Sequence, residues 1–75
     1  MQQIMAHTTD KYIFLQSSEI FKNALVSIRN PEGNRIILKK IRNTNYMSLE
    51  TKLPTGEYTL IVEEDGKFWK RNIYL

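Results

Sequence analysis

Hydrophobic and polar residues alternate with a period of two along most of the chain, which is the pattern of a β-strand that buries one face. This pattern places Val26 and Ile28 on one face of residues 24–29. Residues 57–63 carry apolar side chains on both faces, as a central strand does. Further strands are predicted at residues 12–15, 35–41, 46–51 and 68–75. About six strands spaced by roughly ten residues are typical of a small antiparallel sandwich or barrel.

Turn-forming residues separate these strands. Residues 30–34 place Pro31 at the second position of a turn and Gly33 where φ is expected to be positive. The pair Asp65-Gly66 stands between two alternating segments, which predicts a hairpin with a type I′ turn. Further turns are predicted at residues 43–45 and 52–56.

The chain of 75 residues is long enough for one domain. Residues 1–10 show no periodicity and lie at a terminus, so we expect them to be loosely ordered and the β-sandwich domain to span residues 11–75. Residues 17–21 are predicted to form a helical turn or an irregular connection in which Phe21 packs inward. The predicted core consists of Val26, Ile28, Met47, Leu49, Tyr58, Leu60, Val62, Trp69 and Ile73, whereas Phe68 and Tyr74 are expected to be exposed.

Composition narrows the class of protein. The absence of cysteine excludes disulfides, thiolate metal sites and a cysteine nucleophile. No apolar run approaches the roughly 20 residues that a membrane-spanning helix needs. Residues 1–10 are mixed and polar and do not resemble a secretory signal, so we expect either a cytosolic protein or a mature form without its signal.

Residues that could carry out catalysis are few. His7 is the only histidine, and it lies in the segment expected to be loosely ordered, where a catalytic base could not be held in position. The acidic residues 63–65 lie at a predicted hairpin tip and are interpreted as a solvated turn rather than as an acid/base pair. Each of the three glycines lies in a predicted turn, so none indicates a phosphate-binding loop. The sequence therefore predicts that the protein is not an enzyme and binds no metal or cofactor.

Basic residues give a formal net charge of +3. Alternation sends Lys39 and Lys40 to opposite faces of one strand, and likewise Lys70 and Arg71. A nucleic-acid-binding barrel would need these four residues and Arg42 to converge, so we expect no nucleic-acid binding tighter than about 10 μM at physiological salt. A carbohydrate-binding module, the other alternative, would need at least two exposed, coplanar aromatic rings.

Residues 26–75 carry an ordered series of motifs. They comprise Val26 and Ile28 in a strand, the turn glycine Gly33, the segment LPTGEY at residues 53–58, the turn Asp65-Gly66-Lys67 and a basic final strand that ends at residues 73–75. This order resembles the C-terminal sorting domain of type IX secretion in Bacteroidetes, and the related small immunoglobulin-like domains secreted by Bacteroides species. The chain lacks the Pro-Asn-Pro segment that commonly begins the sorting domain, and we favour a free-standing relative over an excised tail.

The resemblance implies a single antiparallel β-sandwich of immunoglobulin-like type, with a small closed barrel as the alternative. It also implies a secreted, periplasmic or cell-surface location and a non-catalytic protein-interaction module, with secretion machinery as a candidate partner. The recognition surface that it implies comprises Gly56, Glu57, Tyr58, Asp65, Gly66, Lys67, Lys70 and Arg71.

Overall fold

The computed structural model describes residues 2–75, and most of them belong to one antiparallel β-sheet that curls into a half-barrel. The predicted all-β, antiparallel fold is confirmed, and the curled sheet is consistent with a small sandwich or barrel. The strands in chain order are β1 (Ile4–Thr9), β2 (Tyr12–Arg29), β3 (Arg35–Glu50), β4 (Glu57–Glu64) and β5 (Lys67–Tyr74).

Strand β2 is the centre of the sheet. Its first part pairs with β1 and its last part with β4, while β3 pairs with both parts from the other side. Strand β5 extends the sheet beyond β4. A register shift between Gln16 and Phe21 interrupts the β2–β3 pairing, and such an irregularity bends a strand and increases its twist. The bend brings β1 towards β5, where the Thr8 hydroxyl donates to the Tyr74 carbonyl at 3.2 Å.

The first residues of the chain differ from the sequence-based expectation. Met1 lies outside the described residues, but Ile4–Thr9 is an ordered strand rather than a loose segment. A hairpin joins it to β2 through Asp10 and Lys11, whose φ angles of 53° and 72° are both left-handed. Neither residue is a glycine, so the sequence carries no strong signal for this turn. Pairing with β2 orders the segment.

Two further expectations about local structure need correction. Residues 17–21 contain no helical turn, because β2 continues through them. The alternative of an irregular segment fits the register shift between Gln16 and Phe21, and Phe21 is buried as expected. Residues 43–45 do not reverse the chain, since β3 runs through them to Glu50. Asn43 has a left-handed φ of 54°, which makes a local irregularity opposite the bend in β2.

The predicted hairpin turns are confirmed. The amide of Gly33 donates to the carbonyl of Asn30 at 2.9 Å, which places Pro31 at the second position of the turn. Gly33 has a φ of +86°. Asp65 and Gly66 have φ angles of 50° and 75°, as a type I′ turn requires.

The core lies on the concave side of the curled sheet. The predicted core residues are buried except Leu49 and Trp69, which are half-buried and pack against the others. The first part of β2 and the middle of β3 contribute more to the core than the sequence analysis recognised. The additional buried apolar residues include Ile13, Leu15, Ala24 and Ile41.

Candidate interaction surface

The last part of β2 lies in a four-stranded region with the order β3, β2, β4 and β5. Because side chains alternate along each strand, this region has a second face opposite the core, which we call the outer face. Cross-strand neighbours form rows on it. The rows are Arg35, Arg29, Thr59 and Asn72; Leu38, Ser27, Ile61 and Lys70; Lys40, Leu25, Glu63 and Phe68; and Arg42 with Asn23.

A groove of about 440 Å³ crosses the outer face. Ser27 and Ile61 line it and are only 7% and 9% exposed, although they point away from the core. The turn between β2 and β3 also lines the groove, and the Arg29 guanidinium donates to the Gly33 carbonyl in this turn at 2.9 Å. The groove is therefore formed by the sheet and by the turn at its end.

Apolar side chains lie beside the groove in exposed positions. Phe68 on β5 is 65% exposed, and Leu38 on the other edge of the face is 47% exposed. Leu25 is half-buried and lies in the same cross-strand row as Phe68. Exposed apolar groups that adjoin a groove are typical of interaction sites.

Positive charge surrounds these apolar residues. The outer face carries Arg29, Arg35, Lys40, Arg42 and Lys70, and in the four rows Glu63 is the single carboxylate. Within residues 2–75, none of these five side chains forms an ion pair with a carboxylate. The face therefore offers several uncompensated cations to an anionic partner.

The predicted alternation of the basic residues is confirmed. Lys39 lies opposite Val26 on the core side, and Lys40 lies on the outer face. Lys70 faces the groove, whereas the Arg71 guanidinium lies 5.6 Å from the centre of the Trp69 ring on the core side. Strand pairing nevertheless brings one member of each pair, Lys40 and Lys70, onto the same face.

Arg29 and Arg35 were missed as site residues. A signal for them exists, because both flank the predicted turn at residues 30–34 and must therefore face each other across the hairpin.

The residues of the resemblance-based recognition surface do not form one continuous patch. Gly56–Tyr58 and Asp65–Lys67 lie at opposite ends of the β4–β5 hairpin, roughly 20 Å apart at about 3.3 Å per residue. Tyr58 is buried, and its hydroxyl donates to the Pro54 carbonyl at 2.7 Å. Lys70 lines the groove, and Arg71 lies on the other face.

The other end of the sheet carries a row of rings. The ring centroids of His7 and Phe14 are 6.2 Å apart, and those of Tyr12 and Phe14 are 6.1 Å apart. The interplanar angles of the two pairs are 29° and 20°, so the three rings are close to parallel. The Glu50 carboxylate beside Tyr12 raises the pKa of the phenol above 10.0, because it accepts the phenolic hydrogen bond and repels the phenolate.

Other classes of site have little support in the described part of the chain. Residues 2–75 contain no group of three histidine or carboxylate side chains that could hold a metal ion. No helix among them is long and apolar enough to cross a membrane.

Comparison with protein-family models finds no family that matches the chain, and comparison with curated protein sequences finds no relative. The resemblance to sorting domains, the immunoglobulin-like assignment and the location outside the cytoplasm therefore stay predictions.

Proposed function

We propose that the protein is a non-catalytic module that binds another protein through its outer face. The observation that carries this proposal is the combination of an exposed Phe68 ring with a groove floored by Ile61 and surrounded by uncompensated cations. Protein interfaces commonly have an apolar centre and a polar rim, and aromatic and arginine side chains contribute much of their binding energy.

The charge of this face defines the chemistry of the partner. Arg29, Arg35 and Lys70 all line the groove. Complementary charges speed association and select among partners, so the partner surface is expected to be acidic around an apolar centre. A secreted or envelope location, an immunoglobulin-like fold and a link to secretion machinery are parts of this proposal that rest on the resemblance.

A nucleic acid is the competing anionic ligand, and the structure favours it less. Proteins that bind single strands usually combine a basic groove with several aromatic rings for base stacking. The outer-face rows contain one such ring, Phe68, and its cross-strand neighbour is the Glu63 carboxylate. A single ring cannot stack on successive bases, so the predicted limit of about 10 μM at physiological salt is retained.

Selection of random 12-residue peptides displayed on phage against the immobilised domain tests the proposal. The selected peptides are expected to be rich in aspartate and glutamate. The double variant Phe68→Ala/Lys70→Glu should bind them at least tenfold more weakly, because it removes the ring and reverses one groove charge. The control Lys52→Glu reverses a charge whose side chain is 81% exposed outside the outer face, and it should change binding less than twofold.

Two results would contradict the proposal. One is a set of selected peptides whose binding is unchanged by the double variant. The other is submicromolar binding of a labelled single-stranded oligonucleotide with a steep salt dependence, which would assign the outer face to nucleic acid.

A further inference from the structure

We infer that the partner contributes an extended acidic segment that pairs with the free edge of β3 and so adds a strand to the sheet. This inference rests on the proposed function, because the added strand would continue the outer face. Strand addition to a sheet edge is a common way of recognising an extended peptide, since backbone hydrogen bonds supply affinity and alternate side chains supply specificity.

The free edge of β3 is regular over a defined length. Within the described residues, β3 pairs with β2 alone. Residues 37–42 pair with β2 without interruption, between a register shift near Arg35 and the left-handed Asn43. Half of the backbone amides and carbonyls in such a stretch point away from the paired strand. This edge can therefore accept about six residues of an added strand.

The basic side chains along this edge determine which kind of strand can pair with it. Lys39 points to the core side, whereas Lys40 and Arg42 lie on the outer face. Lysines and inward-pointing charges on an edge discourage pairing with other strands unless the added strand compensates the charge. A second copy of β3 would bring the same cations together, so pairing between two copies is disfavoured.

An acidic strand would be attracted to this edge rather than repelled by it. Residues directly opposite each other on paired strands have Cβ atoms about 5 Å apart, which lets side chains of opposite charge interact. Carboxylates opposite Lys40 and Arg42 would lie on the outer face. An apolar residue opposite Leu38 would lie on the same face and contact Leu38. A carboxylate on the other side of the strand would meet Lys39. The expected segment is therefore extended, with acidic residues on both of its faces.

N-methylation of the strongest peptide from the phage selection tests strand addition directly. Two forms are synthesised, one methylated at the odd-numbered residues of the bound segment and the other at the even-numbered residues. In a strand, alternate amides point to the same neighbour, so one form should bind at least tenfold more weakly and the other should bind nearly as well as the parent. Hydrogen exchange should also slow at alternate amides of residues 37–42 when the parent peptide is bound.

The outcomes separate the two proposals. If both methylated forms bind as well as the parent, the peptide lies on the outer face through side chains alone, and the inference fails while the proposed function stands. Equal loss in both forms overturns strand addition as well. If the methylated forms differ but Phe68→Ala/Lys70→Glu has no effect, the edge binds the peptide and the proposed role of the outer face fails.

Charge reversal on the edge provides an independent measurement. The variant Lys39→Glu/Lys40→Glu should weaken binding of the parent peptide at least tenfold. The variant Lys11→Glu/Lys52→Glu makes the same change in net charge at two positions outside residues 37–42 and outside the outer face, and it should change binding less than twofold. Equal effects of the two variants would show that net charge alone controls binding and would overturn the inference. If the edge variant does not fold, the methylated peptides still decide the question with the unaltered protein.

Discussion

Replacement of Phe21 by alanine should strongly destabilise the domain, because this side chain lies in the core beside the bend in β2. The side chain is 1% exposed and is among the largest fully buried side chains in the described chain. It lies beside the register shift at which β2 bends. A cavity at this position would therefore weaken the packing that holds the two parts of the sheet together.

The expected cost follows from its burial. Truncation of a buried phenylalanine to alanine costs about 3 to 5 kcal/mol. A chain of this length has a free energy of unfolding of roughly 4 to 11 kcal/mol, so the variant loses a large fraction of its stability. The adjacent Ile20 is 61% exposed, and Ile20→Ala should cost less than about 0.5 kcal/mol.

Urea denaturation followed by the fluorescence of Trp69, the only tryptophan, measures both variants. The midpoint of Phe21→Ala should fall by roughly 2 to 3 M if m is about 1.5 kcal/mol/M, and that of Ile20→Ala should hardly move. If Phe21→Ala is unfolded without urea, Phe21→Leu should still fold with a loss of roughly 1 to 2 kcal/mol. Equal midpoints for the Phe21→Ala and Ile20→Ala variants would refute the burial of Phe21.

Other predictions concern turns, titration and the partly buried tryptophan. Gly66→Val should cost about 1 to 3 kcal/mol in thermal or urea unfolding, because φ is +75° and a Cβ there meets no neighbour within 4 Å, so backbone strain is the main cause. Lys11→Gly should instead stabilise the domain by roughly 0.5 to 1 kcal/mol by relieving a φ of 72°; a loss would contradict this. An NMR titration should place the pKa of Tyr12 above 10.0, and Glu50→Gln should lower it. Because the folded-state pKa is raised, this interaction stabilises the fold below the unfolded-state pKa and is lost as pH rises through the folded-state value. Trp69→Ala should cost roughly 2 kcal/mol, since the ring is only partly buried, and acrylamide should quench it less in the folded protein than in urea.

Local patterns were sufficient for much of the fold because they act between residues close in the chain. The alternation around Val26 and Leu60 identified strands and their inner faces, and Asp65-Gly66 identified a hairpin from backbone conformation alone. No such local pattern marks the turn at Asp10 and Lys11. Their left-handed turn lacks glycine, and long-range pairing between β1 and β2 orders it.

The candidate site also depends partly on local patterns and partly on long-range strand pairing. Alternation alone places Lys39 and Lys40 on opposite faces, because successive side chains of a strand must point in opposite directions. Alternation cannot say which strands become neighbours. In the structure β2 pairs with both β3 and β4, and this brings Lys40 and Lys70 onto one face with Arg29. Strand order depends on hydrogen bonds and core packing between distant segments, so the cationic outer face could be recognised only in the folded chain.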